Sequence, residues 1–324
     1  MTKADVQLTS CEVLAEGLQF PEGPVWCPDG SVMFVEIARS RLARVRPIDG
    51  DGWSAAETVV EIPGGPNGAA LGPDGEVYIC NNGGCFEWLE RGPFLYPGPR
   101  PDTWTGGSLQ RVDLATCAVT TLYTESISAD GSAVPLRAPN DLVLDGHGGV
   151  WFTDHGTRGP RLSDRTGIHY ARLDGSSCRE VIFPVDAPNG IGLSPNGDRV
   201  YWAETHTGRI FGRSVTAPGV VGDRGDDQGL LAGLPGMQLL DSLAVDAEGN
   251  VCVATLARGG ITVASPSGEV HHVAMPDEVF DPLTTNIAFG GKDMRTAFIT
   301  QSAIGRLIAV AWPTAGLRLV GQTA

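Results

Sequence analysis

The sequence predicts an all-β protein with the architecture of a six-bladed β-propeller. A short pattern occurs six times along the chain, and most of the intervals between its copies suit a four-stranded blade. Glycine and proline supply 44 and 23 of the 324 residues, a proportion typical of many turns and many short strands. No segment shows a long helical period with caps. A parallel α/β fold is therefore excluded, because its crossover helices have no sequence to come from.

Each copy of the pattern consists of a polar residue, an apolar strand, a turn and a second strand rich in β-branched and aromatic residues. We call the polar residue that starts each copy the anchor. The anchors are Glu22, Asn67, Asn140, Asn189, Asp241 and Asn286. Their intervals are 45, 73, 49, 52 and 45 residues, and four of these five match a propeller blade of roughly 40–50 residues. The sixth copy is the weakest, since it lacks the glycine that directly precedes the second strand elsewhere.

The repeat spans nearly the whole chain, so residues 1–324 are predicted to form a single propeller domain. The segments 6–14 and 304–320 are apolar and β-prone. We expect them to pair and so to close the ring of blades.

The charge balance limits the partners. Lys plus Arg total 23 and Asp plus Glu total 38, which gives a formal net charge of −15. This excess of acid argues against a nucleic-acid partner and against docking to an anionic membrane. No stretch of eighteen apolar residues is present, so no transmembrane helix is expected. A small-molecule substrate is the expected partner, and the oligomeric state stays unknown.

The seven cysteines are odd in number and scattered, with no Cys-x-x-Cys pair. A disulfide framework and a thiolate zinc site are therefore not expected. The first residues do not show a basic segment followed by an apolar run, the pattern of a signal peptide. Both features predict reduced thiols and a cytoplasmic location.

The anchors precede the innermost strand of each blade, so all six are expected at one mouth of the central channel. Six polar side chains in a narrow channel are costly to bury unless they share a partner. Two carboxylates and several carboxamides form an all-oxygen set that suits Ca²⁺, with Mg²⁺ or Mn²⁺ as weaker fits. Zn²⁺ is the least favoured ion, because no Cys or His is an anchor. The alternative is that each Asn or Asp only caps a strand start.

The second strand of each blade returns to the same mouth, where its last residues could line a pocket. Asp154 and His155 end one such strand, and an acid beside an imidazole suits proton transfer. His206 ends another and, with Asn67 and Asn140, is a candidate for substrate binding. Solvent exposure would also explain polar strand ends.

These residues match a known family. The chain resembles the SMP-30/gluconolactonase/LRE-like family of six-bladed propellers, which includes bacterial lactonases, and more distantly diisopropyl-fluorophosphatase and the paraoxonases. The matching stretches are Glu22-Gly-Pro-Val-Trp26, Ala138-Pro-Asn-Asp-Leu-Val143, Val150-Trp-Phe-Thr-Asp154, Pro188-Asn-Gly-Ile191, Leu193-Ser-Pro-Asn-Gly197 and Asp241-Ser-Leu-Ala-Val-Asp246.

The resemblance implies a divalent metal held by Glu22, Asn189 and Asp241. Asn140 either ligates the metal too or holds substrate or water beside it. In lactonase relatives the Asp that closes a Phe-Thr-Asp strand is needed for activity, and Asp154 occupies that position here.

One interval departs from the sugar-lactonase pattern. The 73-residue interval contains an aromatic, proline-rich insertion at about residues 83–107, which starts at the predicted mouth. Such an insertion is typical of a lid or pocket wall, although an ordinary surface loop would also explain it. A lid of this composition predicts a substrate more apolar than a sugar lactone.

The resulting hypothesis is a metal-dependent hydrolase that opens a lactone. Water would attack the carbonyl, with Asp154 as the favoured base and His155 as a helper; Asp241 is the alternative base or nucleophile. The same site could instead hydrolyse organophosphates or other esters. A non-catalytic propeller that serves as a binding module is the rival from another class.

Overall fold

Each copy of the sequence pattern folds into one antiparallel sheet of a six-bladed β-propeller, as predicted. The structure is a computed structural model that describes residues 5–48, 52–223 and 229–322. Two short strands come first, β1 at Val6–Gln7 and β2 at Glu12–Ala15, and they join the last two blades.

In the first three blades the four main strands run outward from the channel in chain order. Blade 1 consists of β3 (Pro21–Trp26), β4 (Val32–Glu36), β5 (Arg41–Val45) and β6 (Glu57–Glu61). Blade 2 has β7 (Pro66–Leu71), β8 (Glu76–Asn81), the inserted hairpin β9 (Trp88–Arg91) and β10 (Phe94–Pro97), then β11 (Ser108–Asp113) and β12 (Ala118–Tyr123). Blade 3 carries a small outer hairpin, β13 (Glu125–Ile127) and β14 (Ala133–Pro135), beside β15 (Pro139–Leu144), β16 (Gly149–Asp154), β17 (Thr166–Arg172) and β18 (Cys178–Val185).

The last three blades follow the same plan. Blade 4 consists of β19 (Pro188–Leu193), β20 (Arg199–Glu204), β21 (Arg209–Ala217), β22 (Val220–Val221) and β23 (Leu230–Gly233). Blade 5 consists of β24 (Leu239–Val245), β25 (Val251–Leu256), β26 (Gly260–Ala264) and β27 (Val270–Ala274), followed by a 3₁₀ turn at Asp277–Val279. Blade 6 has β28 (Thr284–Gly290), β29 (Thr296–Gln301) and β30 (Arg306–Ala311).

The two ends of the chain close the ring, as expected from their β-prone segments. Strand β2 pairs antiparallel with β30, with Glu12 opposite Ala309, so blade 6 contains strands from both ends. Strand β1 pairs parallel with β27 of blade 5.

The core lies between neighbouring blades. Five clusters of buried apolar side chains fill the interfaces around the ring, and one of them joins blades 5, 6 and 1. Trp151, Phe34 and Phe152 are the bulkiest fully buried side chains, and each lies on the second strand of its blade. This packing makes the ring a rigid support for the residues at its centre.

The inner strands are brought close together by glycines that follow three of the anchors. A Cβ on Gly23 would lie 2.7 Å from the Ala69 nitrogen, and one on Gly190 would lie 2.4 Å from the Leu243 nitrogen. Gly68 meets the Asn140 oxygen in the same way, at 2.5 Å. The anchor-glycine pairs of the sequence therefore allow adjacent blades to touch at the channel.

The C-terminal residues 313–322 cross the far end of the channel. Leu317 donates its N–H to the Val245 oxygen at 3.1 Å, and Gln322 Nε2 contacts the Trp26 oxygen at 3.4 Å. Leu317 and Leu319 line a narrow space of about 70 Å³ below the anchors. The anchors are thus approached from the opposite mouth. Over the described ranges, no helix is long and apolar enough to cross a bilayer.

Candidate metal centre and active site

The predicted anchors converge on one cavity. A space of about 390 Å³ opens at the mouth where the inner strands begin. Five anchors line it, namely Glu22, Asn67, Asn140, Asn189 and Asp241. The sixth, Asn286, lines the narrow space directly beneath.

The convergence has a local cause in the strand register. In all six blades the pairing between first and second strands shifts at or beside the anchor, for example between Glu22 and Val25 and between Leu240 and Leu243. A shift of this kind bends the strand and redirects a side chain. The repeated shift therefore turns the anchors toward the channel.

Glu22 is 3% exposed and is held from two sides. Its Oε2 accepts hydrogen bonds from the Gly23 N–H at 2.9 Å and from Asn286 Nδ2 at 2.8 Å. Burial nevertheless raises the pKa of Glu22, because these bonds do not replace its lost hydration.

Asp241 lines the same cavity as Glu22 and lies within the range of its charge. Burial, and then the charge of Glu22, raise the pKa of Asp241 well above its usual value. A hydrogen bond from the Asn189 side chain opposes this shift. The Asn189 carboxamide is itself held by Thr205 Oγ1 at 3.2 Å and Ser242 Oγ at 3.3 Å. Two neighbouring carboxylates that repel each other are stabilised by a cation placed between them.

Asn140 supplies the observation that tests the fit of a cation. Its buried Oδ1 has no hydrogen-bond partner in the described part of the chain. An unpaired carboxamide oxygen beside Glu22, Asn189 and Asp241 suits a hard divalent ion, which takes oxygen ligands. No cluster of three or more His, Cys, Asp or Glu side chains suited to a metal occurs among the described residues. The floor instead combines two carboxylates with two carboxamides, and this mixed set of oxygens fits an oxygen-coordinated ion.

Asp154 is the predicted site residue that the structure does not bring to the cavity wall. Its Oδ2 accepts the Arg137 N–H at 2.7 Å, and its Oδ1 accepts the N–H groups of Ala138 at 2.7 Å and Gly156 at 3.1 Å. Burial outweighs these bonds and raises the pKa of Asp154 to about 6. The carboxylate thus connects the backbone of residues 137–138 to that of Gly156, and Asp154 is not among the residues that line the cavity.

His155 and His206 do line the cavity, with ring centroids 6.0 Å apart. Burial lowers the pKa of both rings, that of His206 to about 4, so both are neutral at pH 7. His155 Nδ1 lies 3.2 Å from the Gly156 oxygen. A carbonyl acceptor assigns the hydrogen to Nδ1, which leaves Nε2 as the basic nitrogen.

The insertion at 83–107 extends across the mouth of the cavity. Trp88 packs on Phe20 of blade 1 at 4.9 Å between ring centroids, and Leu95 donates its N–H to the Ala303 oxygen of blade 6 at 2.8 Å. At its other end, Arg100 Nη1 lies 3.4 Å from Thr157 Oγ1 of blade 3. The insertion contributes several residues to the wall, namely Cys85, Phe86, Pro97, Gly98 and Arg100.

Three residues of the site, Asp141, Arg100 and Arg158, were not predicted as functional. Asp141 is buried below the floor, where burial and the charge of Glu22 raise its pKa to about 7. Its signal in the sequence is a carboxylate directly after an anchor. Asn82, Arg100 and Arg158 line the cavity. Asn82 follows a second strand, as His155 does, whereas no sequence pattern distinguishes Arg100 from a surface arginine.

The fold and the floor together define a six-bladed propeller with an oxygen-donor centre at the mouth of its channel. The chain belongs to the SMP-30/gluconolactonase/LRE-like family, whose profile matches residues 20–303.

The chain is similar to two named lactonases and to one solved propeller structure. A gluconolactonase of Zymomonas mobilis is 26% identical over 321 residues, covering 91% of this chain and 79% of that protein. The pentonolactonase XacC of Haloferax volcanii is 25% identical over 303 residues, covering 91% and 86%. The solved structure of the calcium-binding protein regucalcin from Agrobacterium tumefaciens matches with a TM-score of 0.73 at 16% identity, covering 99% of this chain and 100% of that one, which shows the fold alone.

Proposed function

We propose that this protein is a metal-dependent lactonase that hydrolyses the ester bond of a small cyclic substrate. The observation that carries the proposal is the convergence of Glu22, Asn140, Asn189 and Asp241 on one cavity floor, with Asn140 Oδ1 unpaired among the described residues. Family membership and relatives named gluconolactonase and pentonolactonase support lactone hydrolysis as the reaction class.

Glu22, Asn140, Asn189 and Asp241 would hold the ion. Ca²⁺ is favoured over Mg²⁺, Mn²⁺ and Zn²⁺, because the donors are all oxygens and because a structural neighbour is a calcium-binding protein. When bound, the ion would polarise the lactone carbonyl and stabilise the negative charge that develops on its oxygen.

The other cavity residues would position the reactants and move protons. Asn67, together with Asn140 if its carboxamide is not fully engaged by the ion, would orient the ring oxygens, and His206 would donate a hydrogen bond. His155 Nε2 would accept the proton of the attacking water. The carbonyl carbon gains that oxygen, the ring C–O bond breaks, and the leaving oxygen takes a proton to give a hydroxy acid. The structure favours His155 over Asp154 for the base, because all three bonds to Asp154 come from backbone N–H groups.

The insertion at 83–107 would act as a roof over the site of a single-domain enzyme. It faces a wall that is mostly apolar, formed by Phe20, Ile37, Leu239, Leu256 and Leu283. A roof that excludes water strengthens the electrostatic interactions beneath it. The apolar wall supports a substrate with more hydrocarbon surface than a sugar lactone.

Metal titration combined with a lactone panel tests the proposal. Hydrolysis releases acid, so a pH indicator reports turnover of aliphatic, aromatic and sugar lactones. Chelated protein is expected to be inactive, and Ca²⁺ should restore turnover and raise the melting temperature. At a Ca²⁺ concentration of 100 times Kd, the ion should add about 2.7 kcal/mol to the free energy of unfolding.

Asp241→Ala is the matched variant and should lose both responses. Glu248→Gln, which removes an exposed carboxylate from the same blade, is its control and should behave as wild type. A fully active Asp241→Ala protein, or a wild type indifferent to every divalent ion, would remove the proposal.

A further inference from the structure

One wall of the cavity presents hydrogen-bond donors that an uncharged lactone ring does not require. Asn82, Arg100 and Arg158 lie on this wall, which we call the donor wall. The carboxylates that line the cavity, Glu22 and Asp241, lie on the floor and not on this wall.

Asn82 is buried, at 1% exposed, yet one of its polar atoms is unused. Its Oδ1 accepts the N–H groups of Gly84 at 2.9 Å and Cys85 at 3.2 Å, which assigns the other side-chain atom as nitrogen. That Nδ2 has no hydrogen-bond partner within the described residues. Buried donors are nearly always paired, so this one calls for an acceptor that enters the cavity.

Arg100 brings a positive charge to the same wall. Its guanidinium lies 5.1 Å from the ring centroid of Trp104, whose Nε1 donates a hydrogen bond to the backbone oxygen of Asn82 at 2.8 Å. Thr157 Oγ1 is its hydrogen-bond partner. No ion pair joins Arg100 to any described carboxylate, whereas Arg137, on the same Trp104 ring, is paired with Asp164 at 3.1 Å.

Arg158 contributes less net charge, because Asp186 pairs with it at 2.8 Å on the exposed rim. If a divalent ion balances Glu22 and Asp241, as the proposed function holds, Arg100 is the cavity charge left uncompensated. The aromatic ring beneath it fixes its plane and leaves N–H groups available for a bidentate partner.

We infer that the substrate is a lactone that carries a carboxylate, and that Arg100 and Asn82 Nδ2 bind this carboxylate while the lactone carbonyl lies at the floor. This inference rests on the proposed function. One uncompensated arginine matches a single negative charge, so a carboxylate fits better than a phosphate dianion. Hydrolysis of such a lactone yields a hydroxy dicarboxylate, and the apolar wall opposite would contact the hydrocarbon part of the substrate.

A matched pair of substrates tests the inference: a five-membered lactone with a ring carboxylate, and the same lactone with a primary amide in its place. Wild type loaded with Ca²⁺ should prefer the carboxylate by about tenfold or more in kcat/KM. Arg100→Gln should lower kcat/KM for the carboxylate by about 10- to 100-fold, mainly through KM, and leave the amide within about twofold. High salt should reduce the preference of the wild type.

Arg91→Gln is the control, since Arg91 lies in the same insertion, and its guanidinium is 5.6 Å from the Tyr96 ring centroid, outside the cavity lining. Both substrates should remain within about twofold of wild type in this variant. Equal losses for both substrates in Arg100→Gln would overturn the inference, as would a wild type without preference, although lactone hydrolysis would then stand.

Failure of both lactones to react would instead contradict the proposed function. In that case, calorimetric titration with the two lactones tests separately whether the donor wall binds a carboxylate. Carboxylate binding that Arg100→Gln loses would support an anion site, and equal or absent binding of the two compounds would overturn it.

Discussion

Asn286 donates a hydrogen bond from Nδ2 to Oε2 of Glu22 at 2.8 Å, although 264 positions separate the two residues. The bond joins the anchor of the last blade to that of the first. Asn286 Oδ1 is occupied by the N–H of Ile287 at 2.8 Å, so the donor direction is defined. Asn286 therefore orients a proposed metal ligand without reaching the cavity itself.

We expect Asn286→Ala to weaken Ca²⁺ binding by about 10- to 100-fold, the usual effect of removing a partner that orients a ligand. Turnover at saturating Ca²⁺ should be largely retained, because the four proposed ligands remain. Calcium titrations followed by melting temperature and by lactone hydrolysis measure both quantities. Asn196→Ala, at an exposed turn, is the control. Unchanged calcium affinity would show that the bond has no part in metal binding.

Replacement of Asp154 separates a structural role from catalysis. In Asp154→Asn, a carboxamide NH₂ group must face a backbone N–H that the carboxylate accepted, and we expect the free energy of unfolding to fall by about 1–3 kcal/mol. The acidic limb of the pH–rate profile should persist, since the structure favours His155 as the base. Denaturant unfolding and the pH dependence of kcat/KM test this.

Asp174→Asn is the matched control, because Asp174 is exposed and accepts a backbone N–H from Ser176 at 2.9 Å. An Asp154→Asn protein of normal stability that has lost the acidic limb would instead identify Asp154 as the base.

Trp88 packs against two aromatic residues of the cavity wall. Its ring lies 4.9 Å from Phe20 and 6.0 Å from Phe86, and both of these rings line the cavity. We expect Trp88→Ala to raise KM for lactones with apolar substituents by up to about tenfold, the scale of lost aromatic contacts, and to change KM for the unsubstituted ring by less than about threefold. Phe94→Ala, on the same hairpin but outside the cavity lining, should leave both values near wild type. Equal KM changes for all lactones would argue against a roof that contacts the substrate.

His169 predicts a pH dependence of stability that is independent of catalysis. The ring is 2% exposed and stacks on Phe152 at 5.0 Å, and burial lowers its pKa from about 6.5 to about 3. Between these values the unfolded chain binds the proton and the folded protein does not, so stability is lost as the pH falls below about 6.5.

From pH 7.5 to pH 5, wild type should therefore lose about 2 kcal/mol more than His169→Phe, as urea unfolding would measure. His147→Gln, at an exposed position, should follow wild type. Parallel pH profiles for wild type and His169→Phe would contradict the prediction.

The sequence was sufficient for the architecture and for the floor of the site. Strand alternation, turn glycines and β-branched composition act over a few residues, and six repetitions of one local pattern lead to one ring. The symmetry of that ring then places Glu22, Asn140, Asn189 and Asp241 at one mouth, however far apart they lie in the chain. Prediction of these anchors therefore needed only their position relative to a strand.

Only the tertiary structure decided which way the neighbouring side chains face. Asp154 and His155 are adjacent in sequence, yet one carboxylate turns to the backbone of residues 137–138 and the neighbouring imidazole lines the cavity. The direction depends on a register shift in β15 and on a loop from outside the repeat. Arg100 reaches the donor wall because Trp88, Leu95 and Thr157 hold the insertion against three different blades. Contacts of this kind form between segments that do not belong to the repeat. The direction of these side chains therefore depends on packing and hydrogen bonds between distant segments, and residue spacing along the chain does not predict it.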